Sequence, residues 1–352
     1  MSEQIDHKNA SNALLAKIAH RLVYTSAMEA DIESVPISQI GDNDVLLQTL
    51  KSGISRGTEG LVFAGKVPQN EWQRMRCPHQ IGKFSFPVSY GYALVGKVIE
   101  VGRHVDHLVH GNIVFALHPH QSHVIIDASH ANKIPDTLPP QRAVLAANME
   151  TALNAFWDSH VTNDDAVSVI GAGAVGLLTA YLVQKMTQRK VAIIDIDDTK
   201  REIAKALGLS FFHPDEASGN NTVIFHTSAS EAGLQTALRL AAFEGRIIEM
   251  SWYGDKDISL KLGAAFHSQR LQIISSQVGH ISPSRRATTT YAQRMAEALS
   301  LLSDPALDAL LEKEIAFKAL PDHLNRILGQ NSNVLCQVVD YTTSLSGNPS
   351  GD

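Results

Sequence analysis

The stretch Val167-Ser-Val-Ile-Gly171-Ala-Gly173-Ala-Val-Gly176 constrains this chain more than any other. It is a short apolar run followed by three glycines at fixed offsets and then by residues with helical spacing. Gly171 permits a tight turn, Gly173 lets the backbone approach a pyrophosphate, and Gly176 lets strand and helix pack closely. The helix start at Ala174 and Val175 then offers free N–H groups to phosphate oxygens. Three glycines alone are a weak signal, so their surroundings decide. Val175, Leu178, Leu182 and Met186 recur at helical spacing, and Val191-Ala-Ile-Ile194 is a second apolar run ending at Asp195. An acid 22 residues beyond Gly173 can bind the adenosine ribose hydroxyls and would repel a 2′-phosphate. The pattern predicts a site for NAD(H) rather than NADP(H). The competing reading is a glycine turn of some other parallel α/β protein, with an acid at a strand end by chance.

The two sides of this turn read differently. Before it, short β-type runs such as Val45-Leu-Leu-Gln-Thr-Leu50, Gly96-Lys-Val-Ile-Glu-Val101 and Ile113-Val-Phe-Ala116 are separated by Gly, Pro and Asn. From Ala166 onward, strands alternate with helices. Asp198 can cap a helix that closes at Gly208, Thr222 to His226 is a strand, and Ser230 can cap a helix reaching the Glu244-Gly245 turn. Arg246-Ile-Ile-Glu-Met250 and Leu271-Gln-Ile-Ile274 supply further strands. Such alternation implies a doubly wound parallel sheet with ligand at the carboxyl ends of its strands. After Gly279 come a helix through Met295, Leu299 and Leu302, a second through Leu324 and Leu328, and a strand from Val334 to Val339. These pieces are expected to pack on the N-terminal β part.

Composition narrows the class. The 352 residues suit two domains; 44% hydrophobic and 19% charged content is that of a soluble globular protein. A net charge of −6 with scattered Lys and Arg gives no reason to expect nucleic acid. No apolar run reaches membrane-spanning length, and the start lacks a basic segment followed by an apolar one. A cytoplasmic protein with no membrane partner is expected. Two cysteines, Cys77 and Cys336, argue against a disulfide framework or a cysteine-rich zinc module.

A β-rich first part, a mid-chain nucleotide fold and a C-terminal return resemble the medium-chain dehydrogenase/reductase superfamily, the zinc alcohol dehydrogenase relatives, over residues 20 to 341. The segments that carry the resemblance are Ser52-Gly-Ile-Ser-Arg-Gly-Thr-Glu59, Pro87-Val-Ser-Tyr-Gly-Tyr92, Gly96-Lys-Val-Ile-Glu-Val-Gly102, Gly111-Asn-Ile-Val-Phe115 and the Gly171 turn. The Ile-Ser-x-Gly-Thr-Glu form is also similar to bacteriochlorophyllide dehydrogenases and uncharacterised "zinc-binding dehydrogenase" proteins. The resemblance implies a Rossmann NAD-binding domain at 155–279, inserted in a GroES-like catalytic domain at 19–154 plus 280–341. An N-terminal extension at 1–18 and a flexible tail at 342–352 complete the layout, and a homodimer through the sheet edge is implied.

Departures from the family pattern concern its zinc. The place of one cysteine ligand holds Ser55, or Arg56 under the alternative alignment, and the family's Gly-His-Glu reads Gly91-Tyr92-Ala93. Of the usual set an acid remains, Glu150 in Met149-Glu-Thr-Ala-Leu-Asn154. Catalytic zinc sites use three protein ligands, so no zinc is expected at either family site. Another group must then meet the developing alkoxide. Tyr92 stands at a ligand position and can point its hydroxyl at the reaction centre or merely fill the metal's space. His118, in Leu117-His-Pro-His-Gln121, corresponds to a pocket wall and can shuttle a proton. His118 and His120 would share a strand face, with His123 on the other, which makes a replacement metal site a lesser alternative. Glu150 is either a helix-capping acid or a pocket acid anchoring a relay with Thr58, Glu59 or Tyr92.

On the cofactor side, the resemblance puts Arg56 at the pyrophosphate, with a surface salt bridge as its alternative. Lys200, near the capped helix start, joins the cofactor set. Thr227-Ser228, Ser251-Trp252 and Ser276 end successive strands and should line the nicotinamide half of the cleft. The loop from Lys66 to Lys83 carries Arg74, Arg76, Cys77 and His79 and is either a lid for an anionic or polyhydroxylated substrate or a solvated insertion. A basic neighbour could depress the Cys77 pKa. These expectations converge on a zinc-independent NAD(H)-dependent oxidoreductase acting on a secondary alcohol or carbonyl, a cyclitol, sugar or tetrapyrrole-like small molecule. The alternatives are an NADPH-type quinone or enoyl reductase and a non-catalytic NAD(H)-binding protein.

Overall fold

The computed structural model describes residues 18–329 and 332–342. The extension and tail expected at the two ends lie outside the described residues, save Ile18 and Thr342. Val167–Ile170 (β1), Ala192–Ile194 (β2), Ser210–Phe212 (β3), Asn221–His226 (β4), Ala241–Glu249 (β5) and Gln272–Ser275 (β6) form one sheet. Its order is β3-β2-β1-β4-β5-β6, with every pairing parallel. The order reverses beside β1, so a crevice opens at the carboxyl ends of β1 and β4. All four β1 residues are buried, as a central strand covered on both faces requires. The sheet is the doubly wound α/β arrangement of the nucleotide-binding fold.

Helix starts follow local capping chemistry. Ser230 accepts from the Gly233 N–H at 3.0 Å and opens Glu231–Leu240. That helix ends at Leu240, short of the Glu244-Gly245 turn, because the Asn221 side-chain amide takes the Leu240 carbonyl at 3.2 Å and the chain runs directly into β5. After β2 the cap is Asp197 rather than Asp198: its carboxylate accepts from the Thr199 N–H at 3.0 Å. A 3-10 turn at Asp198–Lys200 then leads into Arg201–Ala206, and the chain reverses at Gly208 with φ +72°.

The remaining strands make two further sheets. One runs Glu29–Pro36, Ile18–Ser26, Val88–Ser89, Ile81–Gly82. The other is seven-stranded and built around Asp44–Ser55, which pairs antiparallel with Leu94–Val101, His123–Asp127 and Cys336–Asp340. The C-terminal strands Leu311–Ala316 and Cys336–Asp340 therefore end on the N-terminal β part. Leu320–Leu328 also packs there, burying Leu320, Leu324 and Ile327 with Val62 and Phe63. Among the described residues, no helix is long and apolar enough to cross a membrane.

Helix Tyr291–Leu301 departs from the expected packing. Instead of lying on the β part alone, it packs chiefly on Ala146–Ser159, with Met295, Ala298 and Leu299 in one core with Ala152, Leu153 and Leu178. A buried ion pair joins the two helices. Arg294 Nε donates to Glu150 Oε1 at 3.0 Å, with side chains 2% and 6% exposed, and the guanidinium also donates to Asn154 Oδ1 and the Val278 carbonyl at 2.7 Å each. Removing one member of such a pair strands the other charge. Arg294→Met is expected to cost about 3–5 kcal/mol of unfolding free energy. Urea unfolding of the single variant and of Arg294→Met with Glu150→Gln tests this, the double variant being the more stable.

Candidate active site

At the cofactor end, the turn after β1 has the geometry its glycines imply. Gly171 sits at φ +105°, and a Cβ on Gly176 would lie 1.9 Å from the Gly171 carbonyl oxygen and 2.6 Å from Thr227 Oγ1. Gly173, by contrast, faces open space: nothing lies within 4 Å of a Cβ placed there. Ala174–Thr187 begins at this point, with Gly173 as its cap residue and Val175 in its first turn. Asp195 Oδ2 accepts from the Ala172 N–H at 2.5 Å and Oδ1 from the Asp197 N–H at 2.9 Å, which fixes the acid beside the turn. Thr227 Oγ1 donates to the carbonyls of Ile170 and Gly171 at 3.1 and 3.0 Å.

The two parts of the chain meet across this crevice. Lys200 Nζ donates to the Asn333 carbonyl at 2.5 Å, and Arg56 donates to the neighbouring Ser332 carbonyl. Arg56 and Lys200 lie in the field of Asp197, just past β2. Burial pulls the Lys200 pKa down, only partly countered by Asp197. Trp252 packs against the cluster of Val62 and Phe63, and Gly254 comes so close that a Cβ would lie 2.9 Å from the Leu61 side chain. Ser251 Oγ accepts from the Ala229 N–H at 3.1 Å, Ser228 Oγ lies 2.7 Å from His226 Nε2, and Ser276 Oγ donates to Asp158 at 2.7 Å. Of the expected nicotinamide wall, Ser276 is thus held by the helix Ala146–Ser159.

The helix Arg56–Phe63 positions the other end of the site. Glu59, wholly buried in its first turn, accepts the Ser55 N–H at 3.0 Å through Oε1 and His120 Nε2 at 3.0 Å through Oε2. With Nε2 donating, His120 Nδ1 can accept from Ser52 Oγ at 2.8 Å, and Ser52 Oγ lies 3.1 Å from the Tyr341 hydroxyl. Gly91 makes this pairing sterically feasible. It sits at φ +132°, and a Cβ there would lie 2.8 Å from the His120 ring. The Tyr92 hydroxyl faces Ser55 and Thr58, and burial, then the Glu59 charge, push its pKa up. Tyr24 presents a buried hydroxyl toward Glu59, and burial, then the Glu59 charge, push its pKa up.

Other expected site residues go elsewhere. The stretch Leu117 to His120 is not a strand, since Pro119 lacks the N–H a ladder needs, so strand alternation does not put His118 and His120 on one face. His118 donates Nδ1–H to the Pro119 carbonyl at 2.9 Å and stacks on His79 at 5.1 Å, and His79 in turn meets His130 edge to face at 5.2 Å. Glu150 is the fifth residue of its helix, past the capping turn, and its carboxylate is held by Arg294 rather than by Thr58, Glu59 or Tyr92. Burial raises its pKa against the pull of Arg294. The expected depression of Cys77 is overturned: burial pushes the thiol up to about 12, and Arg76 counters only weakly. Arg76 binds the carbonyls of Gly82 and Gln80 within its own loop.

Known proteins can be set beside this geometry. No family model matches the sequence. An uncharacterised zinc-type alcohol dehydrogenase-like protein of Haemophilus influenzae is 25% identical over 260 residues, 63% of this chain and 72% of that protein. The L-threonine 3-dehydrogenase of Chelativorans sp. is 26% identical over 208 residues, 51% of this chain; the chain spans only 57% of that relative's length. In fold, an alcohol dehydrogenase from Escherichia coli solved with NADH superposes with a TM-score of 0.74 at 17% identity, over 92% of this chain and 99% of its own. The relatives and structural neighbours are zinc-type alcohol dehydrogenase-like, medium-chain dehydrogenase proteins.

Ser55 or Arg56, and Tyr92, which the sequence comparison with the medium-chain dehydrogenase pattern would put at zinc-ligand positions, lie on or against the start of the helix Arg56–Phe63. Among the described residues, no group of three or more His, Cys, Asp or Glu could hold a metal ion. Two features escaped the sequence reading. The Glu59–His120 pair joins residues 61 apart, and Gly91 was its available sign, a glycine before a tyrosine on no evident turn. His226 and Glu249 end adjacent strands and touch at 2.8 Å, a contact that register alone predicts.

Gly91→Ala is expected to displace His120 and to lose about 1–3 kcal/mol of stability with its strained φ and overpacked ring, read from thermal unfolding. The pH response has a definite sign. Burial holds His118 neutral in the folded chain, its pKa pulled from 6.5 to about 4. The unfolded chain binds the proton more tightly, so stability is full above about pH 6.5 and falls as pH drops toward about 4. Unfolding midpoints across that window should fall less steeply in His118→Gln than in the parent chain.

Proposed function

We propose that this chain is an NAD(H)-dependent oxidoreductase that moves a hydride between nicotinamide and a secondary alcohol or carbonyl, with Tyr92 in place of zinc beside the reacting oxygen. One observation carries the reading. A single helix start bears Arg56, in the field of Asp197 beyond β2, and also Ser55 and Thr58, which face the hydroxyl of the half-buried Tyr92. The substrate oxygen and the cofactor would thus be addressed from one turn of helix.

The cofactor, when bound, supplies the hydride-accepting or hydride-donating ring. Its pyrophosphate would lie at the Gly173, Ala174 and Val175 amides, beside a Gly173 whose missing side chain would meet nothing within 4 Å, with Arg56 and Lys200 as the nearby cations. Asp195 would take the ribose hydroxyls, and its carboxylate beside the turn disfavours a 2′-phosphate. Tyr92 stays a phenol at neutral pH, because burial and the Glu59 charge both oppose its ionisation. It can therefore give a hydrogen bond to the substrate oxygen and, in reduction, pass its proton to an alkoxide far more basic than itself. Ser55 and Thr58 are the hydroxyls placed to return that proton. Ser55, Tyr92 and Ala93 do not form a zinc donor set, and Glu59 and His120 already satisfy each other. A homodimer through the exposed edge strand β6, where Ile273 is 36% exposed, belongs to the same reading.

Fluorescence titration should give tighter binding of NADH than of NADPH. In a screen of secondary alcohols and ketones with each cofactor, turnover should survive a zinc chelator, and Tyr92→Phe should lower kcat by about 10²–10⁴-fold with NADH affinity unchanged. Chelator-sensitive turnover would overturn the zinc-free assignment. Cofactor binding without turnover of any alcohol or carbonyl would point to the non-catalytic alternative.

A further inference from the structure

The carboxyl ends of β4 and β5, beside the cofactor turn, carry a His–Glu–Ser set to which hydride transfer assigns no chemical step. Their register pairs His226 with Glu249, so the two side chains lie side by side. Glu249 Oε2 is 2.8 Å from His226 Nδ1 and also accepts from the Tyr253 hydroxyl at 3.0 Å, while Oε1 accepts from the Ser251 N–H at 2.8 Å. A carboxylate with three donors around it is firmly oriented. Burial alone would raise its pKa, and the bonds from His226 and Ser251 outweigh that and hold it below the ordinary value. On the far side of the buried imidazole, Nε2 lies 2.7 Å from Ser228 Oγ, which is 2.8 Å from Ser230 Oγ. Since the carboxylate only accepts, Nδ1 carries the proton and Nε2 turns its lone pair toward the half-buried Ser228 hydroxyl.

Two features of the backbone keep this arrangement close. A Cβ on Gly233 would lie 2.1 Å from Ser228 Oγ and 2.8 Å from His226 Nε2, so a glycine is needed there for the approach of those two groups. Ala229 stands at φ +49°, a sharp turn that raises Ser228 between the end of β4 and the start of Glu231–Leu240. Nucleophile, base and orienting acid in this sequence of contacts are the recurring signature of an activated hydroxyl.

We propose that Ser228 is the nucleophile of an acyl-transfer centre, with His226 as its base and Glu249 orienting the base, acting on small carboxylic esters. Ser228 Oγ bonds to the acyl carbon as its proton passes to His226 Nε2. The ester C–O bond then breaks, and the alcohol leaves with that proton. Water next gives a proton to His226 and bonds to the acyl carbon through its oxygen; the acyl–Oγ bond breaks, the carboxylic acid departs, and the proton on His226 restores the serine hydroxyl. Charge on the carbonyl oxygen would be met by the helix start, where the Glu231 and Ala232 amides have no intrahelical acceptor. This centre does not depend on the hydride-transfer reading.

The test uses the full chain without added cofactor. A fluorophosphonate probe followed by peptide mass analysis should place the label on Ser228, and p-nitrophenyl acetate turnover should fall on the order of a hundredfold in Ser228→Ala and His226→Gln. Gly233→Ala should lose the label as well. If the parent chain takes no label on Ser228, or if folded Ser228→Ala turns over the ester as fast as the parent, the proposal is overturned. Labelling of the parent chain decides the matter even where a variant folds poorly.

Discussion

At none of the described glycines would a side chain be more crowded than at Gly176, where its Cβ would stand 1.9 Å from the Gly171 carbonyl oxygen. That closeness seats the helix Ala174–Thr187 against β1 and brings Thr227, just past the end of β4, onto the carbonyls of Ile170 and Gly171. Once the turn is seated, Asp195 can hold the Ala172 amide, and the carboxyl ends of β1, β2 and β4 share one crevice. The contacts across it, from Lys200 to Asn333 and from Gly254 to Leu61, then set where the β-rich part must sit. The rest of the site hangs on a packing distance rather than on any charged group.

The β-rich part has its own counterpart in Gly91 and the Glu59–His120 pair. Burying a carboxylate and an imidazole is costly unless each finds a partner, and here each has two. Burial, and with it the Glu59 charge, opposes ionisation of Tyr24, Tyr90 and Tyr92, so the cluster keeps its phenols protonated.

Legibility followed the range of the interactions involved. The glycine turn, the parallel strands and the Ser230 cap depend on residues within a few positions of one another, and they could be read directly. Glu150 could not. Its helix and position were evident, but the arginine that holds it lies 144 residues away. His118 and His120 failed for a local reason that was present in the sequence: Pro119 between them breaks the strand periodicity on which their shared face rested. Cys77 failed because a neighbouring arginine is visible in sequence and burial is not.

By itself, the sequence determined the nucleotide sheet and the acid beside its turn. These are matters of backbone sterics and side-chain chemistry that travel with the residue. Only the tertiary structure decided which charges meet. Glu59 finds His120, Glu150 finds Arg294 and Glu249 finds His226 across separations of 61, 144 and 23 residues. Pairing at such distance is set by packing and burial, which no local pattern encodes.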